Sequence, residues 1–351
     1  MKKVLFIFIG LFMFIPFIRA EENQNTLSKN AKSAILIESS TGEIIYEYNS
    51  HEKLEPASMT KMMSLVLIME AIEKGVIKLD QMITVSSNAS GMGGSQILLE
   101  TGEEMSVDDL LKGITIASGN DAVVALAEAI AGTEENFVKM MNNKLKELGL
   151  SDTNFKNCHG LDEEGHYSSA YDMAFIAKEL VKHQKILDYS SIYETYLREG
   201  TDKKIWLVNT NKLVRFKSGV DGLKTGYTAG AGYCLTATMK KDDMRVIATV
   251  MGEPSSTIRN NEVSSMLDYA FAQMGLKKLL SSNSIVETIN LSKAKTEVKI
   301  VPSEDVNILY KKVDGEITPT YEIDIKEIKL PIKKGNVVGT LYVKNDKKNN
   351  K

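Results

Sequence analysis

The apolar and polar positions divide the chain into a helix-rich part and a part with strand-like alternation. Between Ser58 and Lys74 apolar residues fall on nearly every helical face, which predicts a helix buried on all sides. Ser106 with Asp109 three residues later resembles a capping box and predicts a helix through Ala117. Further helical patterns cover residues 121–131, 134–148, 170–182 and 258–274.

Strand patterns lie around and after these helices. Residues 34–37 and 44–46 flank the turn at Thr41-Gly42, and residues 233–239 and 244–250 flank a polar turn. Beyond about Ser281 the period changes to alternation, as in residues 321–325. We therefore predict an α/β region over residues 21–280, a small all-β domain over residues 285–344 and a polar tail at 345–351.

The first twenty residues have the composition of a secretory signal. Lys2-Lys3 precede an apolar run over residues 4–17, and Arg19-Ala20 precede a polar segment. We predict cleavage after Ala20. The alternative is an uncleaved membrane anchor, although the run is short for a spanning helix. In either case we expect the remaining chain outside the cytoplasm, with membrane contact only through an uncleaved N-terminal segment.

Composition excludes several classes of protein. With 351 residues, 43% of them hydrophobic and 25% charged, the chain has room for about two globular domains. A net charge of -3 provides no basic field for nucleic acid. Four histidines without a zinc-binding pattern favour no metal site. Cys158 and Cys234 are interpreted as packed thiols, although the sequence leaves open whether they pair.

A lysine in the buried helix is the first sign of chemistry. Lys61 lies one helical turn after Ser58, so its amine and the serine hydroxyl share a face. A buried lysine is costly unless it is paired or deprotonated, and a neutral amine could take the serine proton. The alternative is a lysine whose amine extends to the surface. The spacing alone is weak evidence, because it recurs at Ser292–Lys295.

Two further polar motifs accompany this pair. Ser118-Gly119-Asn120 occupies the break between two apolar helices, where side chains can project into a cleft. Lys224-Thr225-Gly226 precedes a strand pair, and it offers a positive charge, a hydroxyl suited to a carboxylate and a backbone without a Cβ. A polar edge strand that ends in a turn is the structural alternative. Gly91–Ser95 is interpreted as a mobile loop near the cleft.

In this order the three motifs form the set found in penicillin-binding proteins and class A β-lactamases. The chain resembles the low-molecular-mass D-alanyl-D-alanine carboxypeptidases over roughly residues 30–275, and its β-rich part fits their C-terminal domain more loosely. The resemblance rests on the segments around these motifs, namely residues 56–61, 118–122, 159–162, 168–174 and 221–228, and on Arg259. It implies a transpeptidase-like domain over residues 21–280, with an antiparallel sheet packed with helices and a helical subdomain.

The resemblance also implies roles for single residues. Ser58 is the nucleophile, Lys61 is its general base, and Ser118, polarised by Lys224, relays a proton to the leaving amine. The backbone N–H groups of Ser58 and Tyr227 form an oxyanion hole, and the charge of Lys224 disfavours protonation of Lys61. The implied substrate-binding residues are Asn120, Lys224, Thr225, Gly226, Tyr227 and Arg259. His159 is interpreted as a structural residue, with a catalytic role as the alternative.

The expected activity is removal of the terminal D-alanine from peptidoglycan stem peptides ending in D-Ala-D-Ala, with β-lactams as covalent inhibitors and without a metal or organic cofactor. A class A-like β-lactamase is one alternative, but the Glu-x-x-Leu-Asn context of its deacylating glutamate is missing. A β-lactam sensor module without turnover is another, but it should carry membrane spans and an intracellular domain. The tail lacks the amphipathic helix with which many relatives attach to a membrane.

Overall fold

The computed structural model describes residues 27–291, 297–315, 317–326, 328 and 331–344. The predicted signal segment, the sequence Ser292–Lys295 and the polar tail lie outside these residues. The strands are β1 (Ser33–Glu38), β2 (Ile44–Tyr48), β3 (Met82–Thr84), β4 (Glu104–Ser106), β5 (Glu194–Leu197), β6 (Ile205–Val208), β7 (Val220–Thr228), β8 (Gly232–Lys241), β9 (Met244–Glu253), β10 (Met274–Leu280), β11 (Glu287–Ile289), β12 (Val298–Ile300), β13 (Val306–Lys311), β14 (Thr320–Ile325) and β15 (Gly339–Lys344).

The six helices predicted from the apolar pattern are all present, and the described residues contain three further short helices that were not predicted. A 3₁₀ turn over Ala57–Thr60 leads into the first helix. The Ser106 hydroxyl accepts a hydrogen bond from the Asp109 N–H at 3.1 Å, which confirms the predicted helix start. The helices are α1 (Lys61–Glu73), α2 (Ser87–Ser90), α3 (Val107–Ile116), α4 (Asn120–Ala131), α5 (Glu134–Leu148), α6 (Ala170–Leu180), α7 (Lys185–Ser190), α8 (Leu213–Phe216) and α9 (Ser256–Gln273).

An antiparallel sheet in the order β2-β1-β9-β8-β7 is the centre of the first region. Strand β1 is buried along its whole length because both faces of the sheet are covered. Ile35 and Ile37 join a core with α1 and α6, whereas Ala34 and Leu36 join a second core with α9. Helices α3, α4 and α5 extend the first core into a helical subdomain. The predicted α/β sheet-and-helix architecture is confirmed.

The C-terminal region consists of β-strands paired as β10–β13, β11–β12 and β14–β15, all antiparallel. The small all-β domain is therefore confirmed as a fold. The pairing of Met274 with Lys311 places the first strand of this region directly after α9. We propose that the C-terminal domain begins at Met274 rather than near residue 285, because β10 takes its hydrogen bonds from β13.

Candidate active site

Ser58 lies in the 3₁₀ turn that opens α1, at the edge of strand β7. The preceding residue, Ala57, has a φ of 47°, a left-handed conformation that is costly for a residue with a Cβ. Gly226 packs directly on this turn, since a Cβ there would lie 2.7 Å from the Pro56 carbonyl oxygen and 3.2 Å from the Ser58 nitrogen. Gly160 is equally tight, because its Cβ would overlap the Ala57 carbonyl. Two glycines thus let the turn approach its neighbours.

Lys61 is fully buried, and three oxygen atoms surround its amine. Nζ lies 2.9 Å from Ser58 Oγ, 2.6 Å from Asn120 Oδ1 and 2.7 Å from the His159 carbonyl oxygen. Burial lowers the pKa of Lys61 to about 7, because the apolar surroundings disfavour the ammonium form. Near neutral pH a large fraction of the amine is therefore uncharged while it is in contact with the serine hydroxyl.

Asn120, the first residue of α4, connects this amine to the predicted loop. Its side-chain NH₂ donates to the Gly93 carbonyl at 2.7 Å, and its backbone N–H donates to the Ser95 carbonyl at 2.7 Å. Gly94 is close enough that a Cβ would lie 2.8 Å from Asn120 Nδ2. The Gly91–Ser95 segment therefore lies against the site, in agreement with its predicted location.

Ser118 is held in the break between α3 and α4 with a φ of 65°. Its hydroxyl oxygen is buried and has no hydrogen-bond partner among the described residues. The structure contains no hydrogen bond between this hydroxyl and Lys224, whose Nζ donates to the Thr225 carbonyl at 3.0 Å. A strained backbone and an unsatisfied hydroxyl are features that cluster at functional sites.

Strand β7 and helix α9 bring two buried cations to the other side of the site. Lys224 is 1% exposed and Arg259 is 5% exposed, and within the described part of the chain neither forms an ion pair with a carboxylate. The Arg259 guanidinium donates to the Asn260 side chain at 2.9 Å and to the Cys234 carbonyl at 3.4 Å. These cations leave the cleft with positive charge that an anionic ligand could neutralise.

The two buried lysines are close enough to influence each other's protonation. Burial first, and then the charges of Lys61 and Arg259, place the pKa of Lys224 well below its usual range. The lowered pKa of Lys61 itself is due to burial. Repulsion between two cations disfavours the charged form of both, so it acts on each lysine in the same direction as burial.

A family model described as D-alanyl-D-alanine carboxypeptidase matches residues 19–255. The chain belongs to the D-alanyl-D-alanine carboxypeptidase family. A second model, described as the C-terminal domain of penicillin-binding protein 5, matches residues 275–351. The resemblance inferred from the three motifs is confirmed.

Characterised relatives and solved structures agree with this assignment. The chain is 52% identical to the D-alanyl-D-alanine carboxypeptidase DacF of Bacillus subtilis, with 98% of this chain and 90% of DacF covered. It is 36% identical to DacC of Escherichia coli, with 94% of this chain and 84% of DacC covered. The structure of penicillin-binding protein 5 from Haemophilus influenzae matches with a TM-score of 0.76 at 33% identity. The match covers 90% of this chain and 93% of that protein. Penicillin-binding protein D2 from Listeria monocytogenes in its ampicillin-bound form matches with a TM-score of 0.62 at 30% identity. This match covers 69% of this chain and 97% of that protein.

Within this carboxypeptidase fold the predicted binding residues take different positions. Thr225 is 7% exposed, and its hydroxyl donates to the Thr210 hydroxyl at 2.8 Å. The Tyr227 ring is 57% exposed and lies with its centroid 4.4 Å from that of Tyr233. The ring therefore points to the surface.

Sequence reasoning did not identify two residues that build the cleft. The Asp121 carboxylate accepts hydrogen bonds from the Ile97 and Leu99 N–H groups at 3.0 and 3.1 Å, and so fixes the loop beside Asn120. Thr210 lies between two buried asparagines, which hydrogen-bond to the Ser190 and Gly222 carbonyls. In the sequence, the asparagine on each side of the threonine in Asn209-Thr210-Asn211 indicates a rigid turn.

His159 contributes its backbone rather than its ring to the amine of Lys61. Burial, followed by the charge of Lys61, lowers the pKa of His159 to about 3, so the imidazole is neutral. Its ring nitrogen Nδ1 accepts the Leu161 N–H at 3.1 Å. These contacts favour the structural interpretation of His159. Cys158 and Cys234 are both buried and free, which confirms packed thiols.

A Ser-x-x-Lys spacing outside the site demonstrates how much context matters. Ser50 and Lys53 have the same spacing, but the Ser50 hydroxyl donates to the Glu47 carboxylate at 2.7 Å. Lys53 Nζ is 5.0 Å from the centroid of the Tyr167 ring and 4.0 Å from Asp152. A serine bonded to a carboxylate and a half-exposed lysine bonded elsewhere do not form a nucleophile–base pair.

We expect Gly226→Ala to slow acylation of Ser58 strongly. The new Cβ would lie 2.7 Å from the Pro56 oxygen and 3.1 Å from the Ala57 Cβ, so the turn that carries Ser58 must move. A displacement of this kind costs about 100-fold in rate and about 1–3 kcal/mol in stability. The measurements are the second-order rate of benzylpenicillin labelling and the melting temperature. Unchanged labelling at an unchanged melting temperature would refute the contact.

Proposed function

We propose that this protein is a serine-type D-Ala-D-Ala carboxypeptidase that removes the terminal D-alanine from peptidoglycan stem peptides. One observation carries the mechanism: the buried Lys61 amine contacts two oxygens that can only accept hydrogen bonds and one hydroxyl that can donate. A neutral amine has two N–H groups and one lone pair. Asn120 Oδ1 and the His159 carbonyl take the N–H groups, and the lone pair is left for the Ser58 hydroxyl.

In the proposed reaction Ser58 Oγ attacks the carbonyl carbon of the penultimate D-alanine, and its proton passes to Lys61 Nζ. The C–N bond of the tetrahedral intermediate then breaks. Ser118, whose buried hydroxyl is unpartnered among the described residues, relays the proton from Lys61 to the leaving amine of D-alanine, so that Lys61 is neutral again. Water hydrolyses the ester on Ser58, which releases the shortened peptide and regenerates the serine.

The proposed substrate contacts follow from the charges of the cleft. Lys224, Thr225 and Arg259 hold the terminal carboxylate, because two buried cations there lack a carboxylate partner among the described residues. Asn120 hydrogen-bonds the substrate amide through the side chain that also orients Lys61. The N–H groups of Ser58 and Tyr227 would stabilise the oxyanion, at about 3–4 kcal/mol per donor. Gly226 lets the substrate and the Ser58 turn lie against β7.

We further propose that the protein works outside the cytoplasm, where residues 1–20 would direct it, and that β-lactams acylate Ser58. The strained amide and the carboxylate of a penicillin have the arrangement of the D-Ala-D-Ala end.

In the described residues no helix is both long and apolar enough to cross a bilayer. The same residues contain no group of three or more histidine, cysteine or acidic side chains arranged for a metal ion.

The test is release of D-alanine from diacetyl-L-Lys-D-Ala-D-Ala, measured together with the lifetime of the benzylpenicillin adduct. We expect catalytic release of one D-alanine per peptide and a long-lived adduct. Rapid hydrolysis of the drug would support the β-lactamase alternative. A stable adduct without any peptide turnover would support the sensor alternative, and either result would overturn the proposal.

A further inference from the structure

A buried glutamate that the proposed reaction does not use lies beside Arg259. Glu253 ends strand β9 and is 1% exposed, and neither of its carboxyl oxygens receives an N–H or hydroxyl group from the described residues. Its partner across the strands is Tyr233, and the next residue, Cys234, accepts a hydrogen bond from the Arg259 guanidinium. The carboxyl group therefore lies close to the cation that we assign to the substrate carboxylate.

A second carboxyl group faces Glu253 from helix α9. Glu262 lies three residues after Arg259, and its oxygens accept hydrogen bonds from the Asn30 backbone at 3.1 Å and the Asn30 side chain at 2.5 Å. Two adjacent carboxyl groups do not both ionise readily, and Glu253 is the more deeply buried of the two. Burial, followed by Glu262, raises the pKa of Glu253 to about 8.

Few other titratable groups lie around Glu253 in the described part of the chain. Tyr233 and Cys234 face it from β8, and the side chain of Lys32 packs against the adjacent Gly252. Arg259 is the cation that favours the ionised form of Glu253. The charge state of Glu253 is thus set by burial and Glu262, which disfavour ionisation, and by Arg259, which favours it.

We propose that protonated Glu253 leaves Arg259 free to bind the substrate carboxylate, and that ionised Glu253 competes with the substrate for Arg259. Glu253 is a positioning residue in this scheme, since it acts through Arg259. The inference rests on the proposed role of Arg259 in the carboxypeptidase reaction. By linkage, a bound substrate carboxylate must also oppose the ionisation of Glu253.

The size of the effect follows from that reciprocity. Each unit by which the bound carboxylate raises the pKa of Glu253 corresponds to a tenfold weaker affinity once Glu253 is ionised. We expect the dissociation constant to rise about tenfold from pH 6.5 to pH 9.5, with a midpoint near the pKa of about 8. The sign is fixed, because affinity is greatest where Glu253 is neutral.

The experiment uses the full chain with Ser58→Ala, which binds peptide without acylation. The dissociation constant of diacetyl-L-Lys-D-Ala-D-Ala is measured by calorimetry across this pH range. Adding Glu253→Gln, which keeps the shape and removes the titrating proton, should abolish most of the rise. Adding Glu304→Gln, an exposed glutamate in the C-terminal region, should leave the rise unchanged and serves as the matched control.

Two further variants distinguish a failure of the inference on Glu253 from a failure of the proposed role of Arg259. Glu262→Gln removes the facing carboxylate, so the midpoint should move to lower pH, and this result decides the question if Glu253→Gln does not fold. An unmoved midpoint, or a full rise in Glu253→Gln, overturns the inference. If Arg259→Gln leaves the dissociation constant unchanged at every pH, the proposed role of Arg259 fails instead. Weaker binding in Arg259→Gln with an undiminished rise in Glu253→Gln rejects only the role of Glu253.

Discussion

Replacing Ser58 by alanine is expected to abolish both D-alanine release and covalent labelling by benzylpenicillin. The Ser58 oxygen lies 2.9 Å from the Lys61 amine, and no other hydroxyl group contacts that amine among the described residues. Loss of a nucleophile lowers turnover by at least about 10⁴-fold. The fold should persist, because the change removes one half-buried hydroxyl and at most about 1 kcal/mol.

The matched control is Ser50→Ala, which changes a serine with the same spacing to a lysine. Its hydroxyl donates to Glu47 and not to Lys53, so labelling and D-alanine release should equal those of the unaltered chain. Mass spectrometry of the intact protein after incubation with benzylpenicillin measures both variants. A mass increase in Ser58→Ala of one penicillin equivalent would disprove the assignment of the nucleophile.

The parts of the fold that follow from local physics were predictable from the sequence. Helix α5 spans Glu134–Leu148, the same residues as its periodic pattern. Gly132 ends α4 with a φ of 80°, and Ser106 caps α3, so start and stop signals were reliable. The largely apolar α1 was correctly predicted to be buried, because a helix that is apolar on nearly every face has no side to present to water.

The remaining features depend on partners that are distant in the sequence. Strand β10 is stabilised by β13, about thirty residues later, and its own residues carry no decisive alternation. The left-handed backbone at Ala57 and Ser118 is imposed by packing, since neither residue type favours that conformation. Glu253 acquires its raised pKa from burial and then from Glu262 on the helix that follows it, neither of which local spacing encodes.

The candidate site is assembled against the preference of its own residues. Lys61, Lys224 and Arg259 are buried together although like charges repel and burial disfavours each charged form. The surrounding cores of apolar residues offset this unfavourable electrostatic energy. Buried cations that destabilise the fold where they stand are typical of a functional site, here one that an anionic ligand would complete.

Replacing Lys61 by alanine is expected to slow acylation by about 10²–10⁴-fold, because the serine loses its general base. Lys61→Met fills more of the same volume and should be equally slow. In the unaltered chain, kcat/KM should fall about tenfold per pH unit below the Lys61 pKa of about 7, since the protonated amine cannot accept the serine proton. Stopped-flow labelling by benzylpenicillin from pH 5 to pH 9 measures both effects.

The lowered pKa of Lys61 also predicts how the free energy of unfolding depends on pH. The folded pKa of about 7 lies below the ordinary 10.5, so between these values the unfolded chain binds a proton that the folded chain does not. Stability therefore rises from pH 7 to pH 10.5 and is independent of this group below pH 7. Relative to Lys61→Met, the free energy of unfolding should increase by a few kcal/mol from pH 7 to pH 10, on the order expected for such a shift. Denaturant titrations that give the same pH dependence for both chains would mean that Lys61 stays protonated in the folded state, and a protonated amine cannot activate Ser58.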